Sequence, residues 1–138
     1  MADLGDFVSA QAPYWPQVQA ELRAGRKLTH WIWWFFPQLE VLGRSQRARE
    51  FGLAGLDEAA AFLAHPVLGP RLVTCCGMLL EHGDASPEEM LGPVDALKVR
   101  SCATLFAAVP DADPVFGEVL NRLYSGTKCP VTRETLGL

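Results

Sequence analysis

The chain has 138 residues and a formal net charge of −4, which suits one domain and excludes a general attraction to nucleic acid or anionic lipid. Hydrophobic residues make up 49% of the chain and charged residues 20%, proportions typical of a globular protein rather than a disordered one. We therefore expect a single domain over residues 1–138, with a core that needs neither metal nor disulfide. Any site for an anion has to be local.

The amino terminus and the cysteines predict a soluble, cytoplasmic protein. The opening segment MADLGDF has acidic residues where a signal peptide requires basic ones. The longest strongly apolar run, residues 31–36, is far shorter than the roughly 20 residues that cross a bilayer. The Cys and His residues lack the spacing of a metal site, and the cysteines are expected to be free, mostly inert thiols in apolar helices. The sequence thus predicts no metal, no cofactor, and no nucleic-acid or membrane partner, and it leaves the oligomeric state open.

In the first half of the chain, helix signals recur and strand signals do not. A helix is expected over 16–24, because Gly25 follows it as a typical stop. Thr29 is expected to cap a short helix over 30–36, because no other segment alternates polar and apolar residues as a partner strand would. A further short helix is expected over 45–51.

The second half continues the pattern of short helices punctuated by Pro and Gly. Ser86 and Glu89, on either side of Pro87, form the clearest start signal, a capping box. Other helices are expected over 57–63, 70–81, 95–108 and from Asp113 onward, with Leu97 among the apolar positions and Thr132 capping a last turn. Together these signals predict an all-α fold, a single compact domain of about seven to eight short helices.

The aromatic run from Trp31 to Phe36 is predicted to be mostly core. On a helix, Trp31, Trp34 and Phe35 share one face, whereas Trp33 points away from them. Trp33 is therefore equally suited to the core and to a rim position where a base or another ring stacks on it.

Polar residues flank the aromatic run on both sides and form the first candidate site. Arg26, Lys27 and His30 precede a predicted helix start, where backbone N–H groups and the helix dipole favour phosphate or carboxylate. The alternative is a basic loop that follows a helix end, with His30 making a capping or core-edge hydrogen bond. Gln38, after Pro37, has an amide that suits either a ligand edge or the bare backbone groups of a helix end.

A second candidate group lies on the helix over 95–108. Asp95, Lys98 and Ser101 follow one another at intervals of three and form a polar stripe, with Thr104 at its flank. The stripe suits acid/base chemistry or ligand hydrogen bonding, and the alternative is a surface salt bridge. Arg71, at another predicted helix start, is a reserve ligand for an anion.

A long series of spaced motifs runs through the chain, namely Gly25-Arg26-Lys27, His30-Trp31, Trp33, Phe36-Pro37-Gln38-Leu39, Leu42-Gly43, Ser45, His65-Pro66, Leu68-Gly69, Arg71-Leu72, Asp95, Lys98, Ser101 and Thr104-Leu105-Phe106. With these motifs the chain resembles the domain of unknown function 1810 family, small all-helical proteins that are sometimes labelled calpastatin. The resemblance covers residues 7–136, and the label has no visible basis in the sequence. It implies an all-helical domain without an established activity. Cys129 stands where the family usually has Asp, so any family role for that carboxylate is in doubt here.

The residue types favour a cleft formed by the loop over 25–30, Trp33 and the helix over 95–101. The leading hypothesis is a binding domain for a small anionic aromatic ligand, such as a nucleotide or an ADP-ribose-like molecule. One alternative is a hydrolase or transferase that acts on such a ligand, with His30 or Asp95 as general base and Lys98 as electrostatic stabiliser. Another is a protein-interaction module that exposes the aromatic segment.

Overall fold

Residues 2–138, which the computed structural model describes, form ten α-helices and one turn of 3-10 helix. The β-type pairing within this range is one isolated parallel bridge between Leu39 and Leu53. The all-α prediction is confirmed, with more helices than expected. They are α1 (Leu4–Gln11), α2 (Trp15–Ala24), α3 (Ile32–Phe35), the 3-10 turn (Glu40–Leu42), α4 (Gln46–Glu50), α5 (Leu56–Ala64), α6 (Leu68–Leu80), α7 (Pro87–Leu91), α8 (Pro93–Ala107), α9 (Val115–Leu123) and α10 (Pro130–Leu136).

Local capping explains most of these boundaries. Gly25 ends α2 in the left-handed conformation with φ of 74°, which a residue with a side chain adopts at a cost. Ser86 and Glu89 form the predicted capping box of α7. Asp3 and Asp6 form another at α1, a helix that the sequence signals did not predict. Both boxes satisfy N–H groups that a helix start leaves bare.

Two predicted caps are wrong. Thr29 does not cap a helix over 30–36, because its hydroxyl donates to Glu21 at 2.7 Å and the helix begins only at Ile32. Thr132 does not cap the last turn, because α10 already begins at Pro130 and buries Thr132 within its first turn. The Thr29 hydroxyl therefore binds the Glu21 carboxylate, and the Thr132 hydroxyl is buried inside α10.

The aromatic run is core, as predicted for most of its members. Trp31, Phe35 and Phe36 are completely buried, Trp34 is 8% exposed, and Trp33 alone is half-buried. The Trp31 and Phe35 rings meet edge to face at 5.9 Å between centroids, a favourable geometry for aromatic pairs. The run therefore anchors α3 in the core and leaves Trp33 at its edge.

Helix α8 joins the core to the surface. Its C-terminal half, residues 101–106, is buried on all sides, and the helix packs against α5, α7, α9 and α10. Its N-terminal half has a free face, where Val94 and Leu97 are among the most exposed apolar side chains of residues 2–138. Leu97, predicted to lie with the apolar positions of the helix, is 55% exposed because no element covers this face.

Within residues 2–138 no single helix is long and apolar enough to cross a membrane. Helices α5 and α6 have the required length and composition only when they are taken together, and this pair is bent by 92°.

Candidate functional site

The loop between α2 and α3 is held by one buried carboxylate, Glu21. Its oxygens accept hydrogen bonds from the Leu28 amide at 2.6 Å, the Thr29 amide at 3.0 Å and the Trp31 indole at 3.1 Å. The Thr29 hydroxyl and the Gln17 amide complete the set at 2.7 and 3.1 Å. A side chain that is only 6% exposed is thus satisfied entirely by neutral donors.

These donors determine the charge of Glu21. Burial by itself raises the pKa of the carboxyl, but hydrogen bonds from the Thr29 side chain, the Leu28 and Thr29 amides and Gln17 lower it from 4.5 to about 2. Hydrogen bonds to the charged form have this effect in general. The loop is therefore wrapped around a permanent anion at neutral pH.

Lys27, on this loop, forms an ion pair with Asp95 of α8. Lys27 Nζ lies 2.8 Å from Asp95 Oδ2, and it donates to the Thr29 carbonyl at 2.5 Å. The Trp31 ring lies beside the ammonium, 5.0 Å from centroid to Nζ. Because the Lys27 side chain is only 5% exposed, it positions Asp95 rather than offering a free charge to solvent.

Next to this ion pair lies a concavity of about 330 Å³, which we call the tryptophan cavity. Lys27, His30, Trp33, Asp95 and Lys98 contribute to its wall, together with Ile32, Leu91, Gly92, Pro93 and Val94. The structure therefore brings five of the predicted site residues together around one concavity, whereas Ser101 lies outside it.

A second concavity, of about 360 Å³, lies farther along α8, and we call it the arginine cavity. Its polar wall consists of Gln38, Arg44, Lys98, Arg100 and Ser101. Its remaining wall is mostly apolar and comprises Leu42, Ala48, Val94, Leu97, Cys129, Pro130 and Val131, with Ser45 at one side. A mostly apolar wall with a few polar groups is the usual character of a ligand pocket.

Lys98 lies in the walls of both cavities, which we together call the groove. It lines both of them and also the narrow space of about 10 Å³ between Trp33 and Gln38. Lys98 Nζ lies 3.6 Å from Asp95 Oδ1 and 5.7 Å from the Trp33 ring centroid. The side chain is thus oriented by the carboxylate and the indole, and its ammonium is partly open to solvent.

Seven of the nine predicted site residues line this groove, and two lie elsewhere. Arg26 is exposed on the loop, outside both cavities. Arg71 lies on α6, where its guanidinium donates to Gln11 at 3.2 Å and stacks over Trp15 at 5.2 Å. His30 is exposed and makes no hydrogen bond with another residue of 2–138 that would orient its ring.

The sequence predictions missed Glu21, Arg44, Arg100 and Cys129. Glu21 had a signal, since it lies between Val18 and Leu22 on the buried face of α2, where an unsatisfied charge is not tolerated. Arg44 and Arg100 had no such signal, because no periodic sequence pattern marks residues that form a groove between distant segments.

The cysteines were expected to be inert, and three of the four fit that expectation. Burial raises the pKa of Cys75, Cys76 and Cys102. Cys129 differs, because hydrogen bonds from Ser101 and from the start of α10 outweigh the opposite effect of burial and lower its pKa. None of the four forms a disulfide, and residues 2–138 contain no cluster of three metal-ligating side chains.

Comparisons with known proteins support the resemblance. Residues 1–136 match the family described as Protein of unknown function (DUF1810). The chain is also similar to the crystal structure of the conserved hypothetical protein Rv1873 from Mycobacterium tuberculosis. The two share 46% sequence identity over 99% of this chain and 97% of that chain, with a TM-score of 0.96. No protein with a curated description matches. The fold is therefore shared with a solved relative, and neither description states an activity.

Proposed function

Since the chain belongs to the DUF1810 family of proteins of unknown function, its function has to be inferred from its groove, and we propose that the groove binds a small anionic ligand that carries a ring. A nucleotide or an ADP-ribose-like molecule has this character. Each cavity reaches the lower end of the usual volume of ligand pockets, about 300–1,000 Å³, and together they suit a ligand of two linked parts.

The charge of the arginine cavity carries this proposal. Arg44, Lys98 and Arg100 line it, and none of its lining residues is an acid, in a chain with a net charge of −4. Neither arginine forms an ion pair with a carboxylate of residues 2–138. Unpaired guanidinium groups in a concavity favour phosphate or carboxylate, which they bind through parallel hydrogen bonds.

Unsatisfied donors in the wall support the same ligand class. Trp33 Nε1 and Arg100 Nε are buried and have no acceptor among residues 2–138. A buried donor without an acceptor costs roughly 1–3 kcal/mol. A ligand that supplies an acceptor oxygen at either atom recovers part of that cost.

The tryptophan cavity suits the ring of the ligand. Trp33 is half-buried there and the neighbouring wall is apolar, with Leu91, Pro93 and Val94. Asp95, held by the Lys27 ammonium at 2.8 Å, offers an acceptor for a hydroxyl or amino group of the ligand. In this proposal Lys98, Arg44 and Arg100 bind the negatively charged group of the ligand. Lys27, which the sequence alone had suggested as a phosphate ligand, has a structural role.

Binding is favoured over the two alternatives by specific observations. Of the two candidate general bases, the exposed His30 lacks an orienting partner among residues 2–138, and Asp95 already has an ammonium group beside each of its two oxygens. A protein-interaction surface would expose Trp33 or Trp34 in an apolar patch, but Trp34 is only 8% exposed and Trp33 is half-buried in the wall of the tryptophan cavity. Of the seven large apolar side chains exposed within residues 2–138, three (Val94, Leu97 and Val131) border the arginine cavity, and Tyr14, Leu28, Val41 and Leu138 lie outside it.

The proposal is tested by thermal shift with AMP, ADP, ADP-ribose, inorganic pyrophosphate and uncharged adenosine. We expect the phosphorylated nucleosides to raise the melting temperature, since a ligand at about a hundred times its Kd adds about 2.7 kcal/mol to the free energy of unfolding. Adenosine should have a smaller effect, because it has no charge for Lys98 or Arg44.

Matched variants locate the site. Lys98→Gln and Arg44→Gln should each weaken binding of the phosphorylated ligands, and Trp33→Leu should weaken binding of adenosine as well. Arg26→Gln removes a cation of the same chain outside the groove and should leave every shift unchanged. The absence of a shift with all five compounds, or equal shifts in Lys98→Gln, Trp33→Leu and Arg26→Gln, would contradict the proposal.

A further inference from the structure

Cys129 occupies a different environment from the other three cysteines. Cys75, Cys76 and Cys102 lie within the core, on α6 and α8. Cys129 precedes α10 and forms part of the wall of the arginine cavity. Its side chain is small and only 4% exposed, so access to the sulfur is through this cavity rather than from bulk solvent.

The groups around the sulfur favour a thiolate. Ser101 Oγ lies 3.2 Å from Cys129 Sγ and 3.0 Å from the Leu97 carbonyl, so its single proton can turn toward a charged sulfur. Ser101 and the start of α10, at Val131 and Thr132, lower the pKa of the Cys129 thiol against the opposite effect of burial. The Thr104 hydroxyl accepts from the Cys129 amide at 3.0 Å and fixes the backbone at this position.

Two buried donors near this part of the chain have no hydrogen-bond partner among residues 2–138. They are Thr132 Oγ1, on a residue with no exposed surface, and Arg100 Nε. Thr132 lies close enough to the sulfur to lower the pKa of Cys129, and Arg100 lines the cavity in front of it. Arg100 Nε, the one of the two that belongs to a residue of the cavity wall, would be satisfied by a bound group that accepts hydrogen bonds.

We propose that Cys129 is a reactive thiol that exchanges with small disulfides bearing carboxylates and bound between Arg44, Lys98 and Arg100. The Cys129 thiolate attacks one sulfur of the bound disulfide, and a new bond forms between Sγ and that sulfur. The original disulfide bond breaks, and the other half leaves as a thiolate with the electron pair. Cys129 is thereby oxidised and the leaving half is reduced, so no further oxidant is required.

This proposal rests on the proposed function in one respect, because the same cations receive the negative charge of the bound molecule. The covalent step is independent of it, since thiol exchange can be measured without any nucleotide. A protein that reacts at Cys129 but shows no thermal shift retains this inference and loses the proposed ligand class.

The test uses the full chain, without denaturant, and two aromatic disulfides. Dithionitrobenzoate carries carboxylates and dithiodipyridine is uncharged, and each releases a coloured thiol. We expect one fast-reacting thiol per chain, located at Cys129 by peptide mass mapping. Cys129→Ser should leave only the slow reaction of the core cysteines, which become accessible through local unfolding. Circular dichroism checks that this variant is folded.

The cations of the cavity provide the second arm. Arg44→Gln should slow the reaction with dithionitrobenzoate by roughly three- to tenfold, because one charge is removed from the binding wall. The reaction with dithiodipyridine should keep its rate, and Arg26→Gln should change neither reaction. An equal loss with both reagents would overturn the role of Arg44 in recognising the anion.

The polar neighbours of the sulfur provide an arm that does not depend on replacing the cysteine. Ser101→Ala should move the rate profile of dithiodipyridine to higher pH, because the thiolate loses a donor. A native protein whose Cys129 reacts no faster than the core cysteines, or a pH profile that Ser101→Ala leaves in place, would overturn the proposal.

Discussion

Glu21→Gln is expected to destabilise the protein strongly, although the side chain keeps its shape and touches neither cavity. The variant replaces a charged acceptor by an amide whose NH2 group faces donors of the loop. At least one of the five hydrogen bonds to Glu21 is lost, and the others weaken because charged acceptors form the stronger bonds.

The size of the effect follows from the pKa of Glu21, which falls from 4.5 to about 2 on folding. At about 1.4 kcal/mol per pH unit, this fall corresponds to roughly 3 kcal/mol of stability at neutral pH. Because the folded pKa is depressed, the contribution is complete above pH 4.5 and is lost as the pH falls toward 2.

Urea unfolding, followed by tryptophan fluorescence at several pH values, measures this contribution. The free energies of the natural protein and Glu21→Gln should differ by roughly 2–3 kcal/mol at neutral pH, and the difference should shrink as the pH falls from 4.5 toward 2. Glu134→Gln is the matched control, because Glu134 is exposed on α10 and should change stability by less than about 0.5 kcal/mol.

A small effect of Glu21→Gln at neutral pH would refute the account of the loop. So would a large effect that is the same at pH 3 and pH 7, since it would arise from packing rather than from the charge. Thr29→Val, which removes one donor to the carboxylate, should raise the pKa of Glu21 and move its acid transition to higher pH.

Two further predictions concern the frame of the groove. Gly69→Ala should destabilise the protein by roughly 1–3 kcal/mol, because a Cβ at Gly69 would collide with the Leu63 carbonyl oxygen. A Cβ at Gly77, in the same helix, meets no neighbour within 4 Å. Gly77→Ala should therefore increase the free energy of unfolding by about 0.5–1 kcal/mol. Thermal unfolding of both variants checks this, and equal effects would show that α5 and α6 can move apart. Lys27→Met and Asp95→Asn should each cost roughly 1–3 kcal/mol, and the double variant should cost less than their sum. Additive losses in urea would mean that the ion pair at 2.8 Å does not couple the loop to α8.

The parts of the fold that depend on nearby residues could be predicted from the sequence. Gly25 as a stop and the Ser86–Glu89 box each act within a few residues, so their signals are visible in a single stretch of chain. Helix α1 was missed because its box uses Asp3 and Asp6, a less common pair for this purpose than Ser with Glu. The burial of the aromatic run followed from its apolar area alone.

The groove could be predicted only in part, because its two sides meet through tertiary packing. The tryptophan cavity was expected from polar residues at both ends of one segment and on one helix. The arginine cavity was not, since Arg44, Arg100 and Cys129 come from three distant segments. The bridge between Leu39 and Leu53 holds the loop that carries Arg44, and no local sequence pattern predicts such a contact.

The charged residues of the loop and of the groove have different roles, and these roles determine which cations are available to a ligand. Glu21 uses its full charge to hold the backbone of residues 28 and 29, and Lys27 uses its own to hold Asp95. A lysine already paired at 2.8 Å and almost fully buried gains little from a second anion, because its desolvation has been compensated within the protein. Lys98 lies 3.6 Å from the same carboxylate and is partly exposed, so it is more available than Lys27 to bind a second anion. The affinity of the groove for an anion should therefore depend on Lys98 and the two arginines, whereas Lys27 determines whether the wall that carries Asp95 is in place at all.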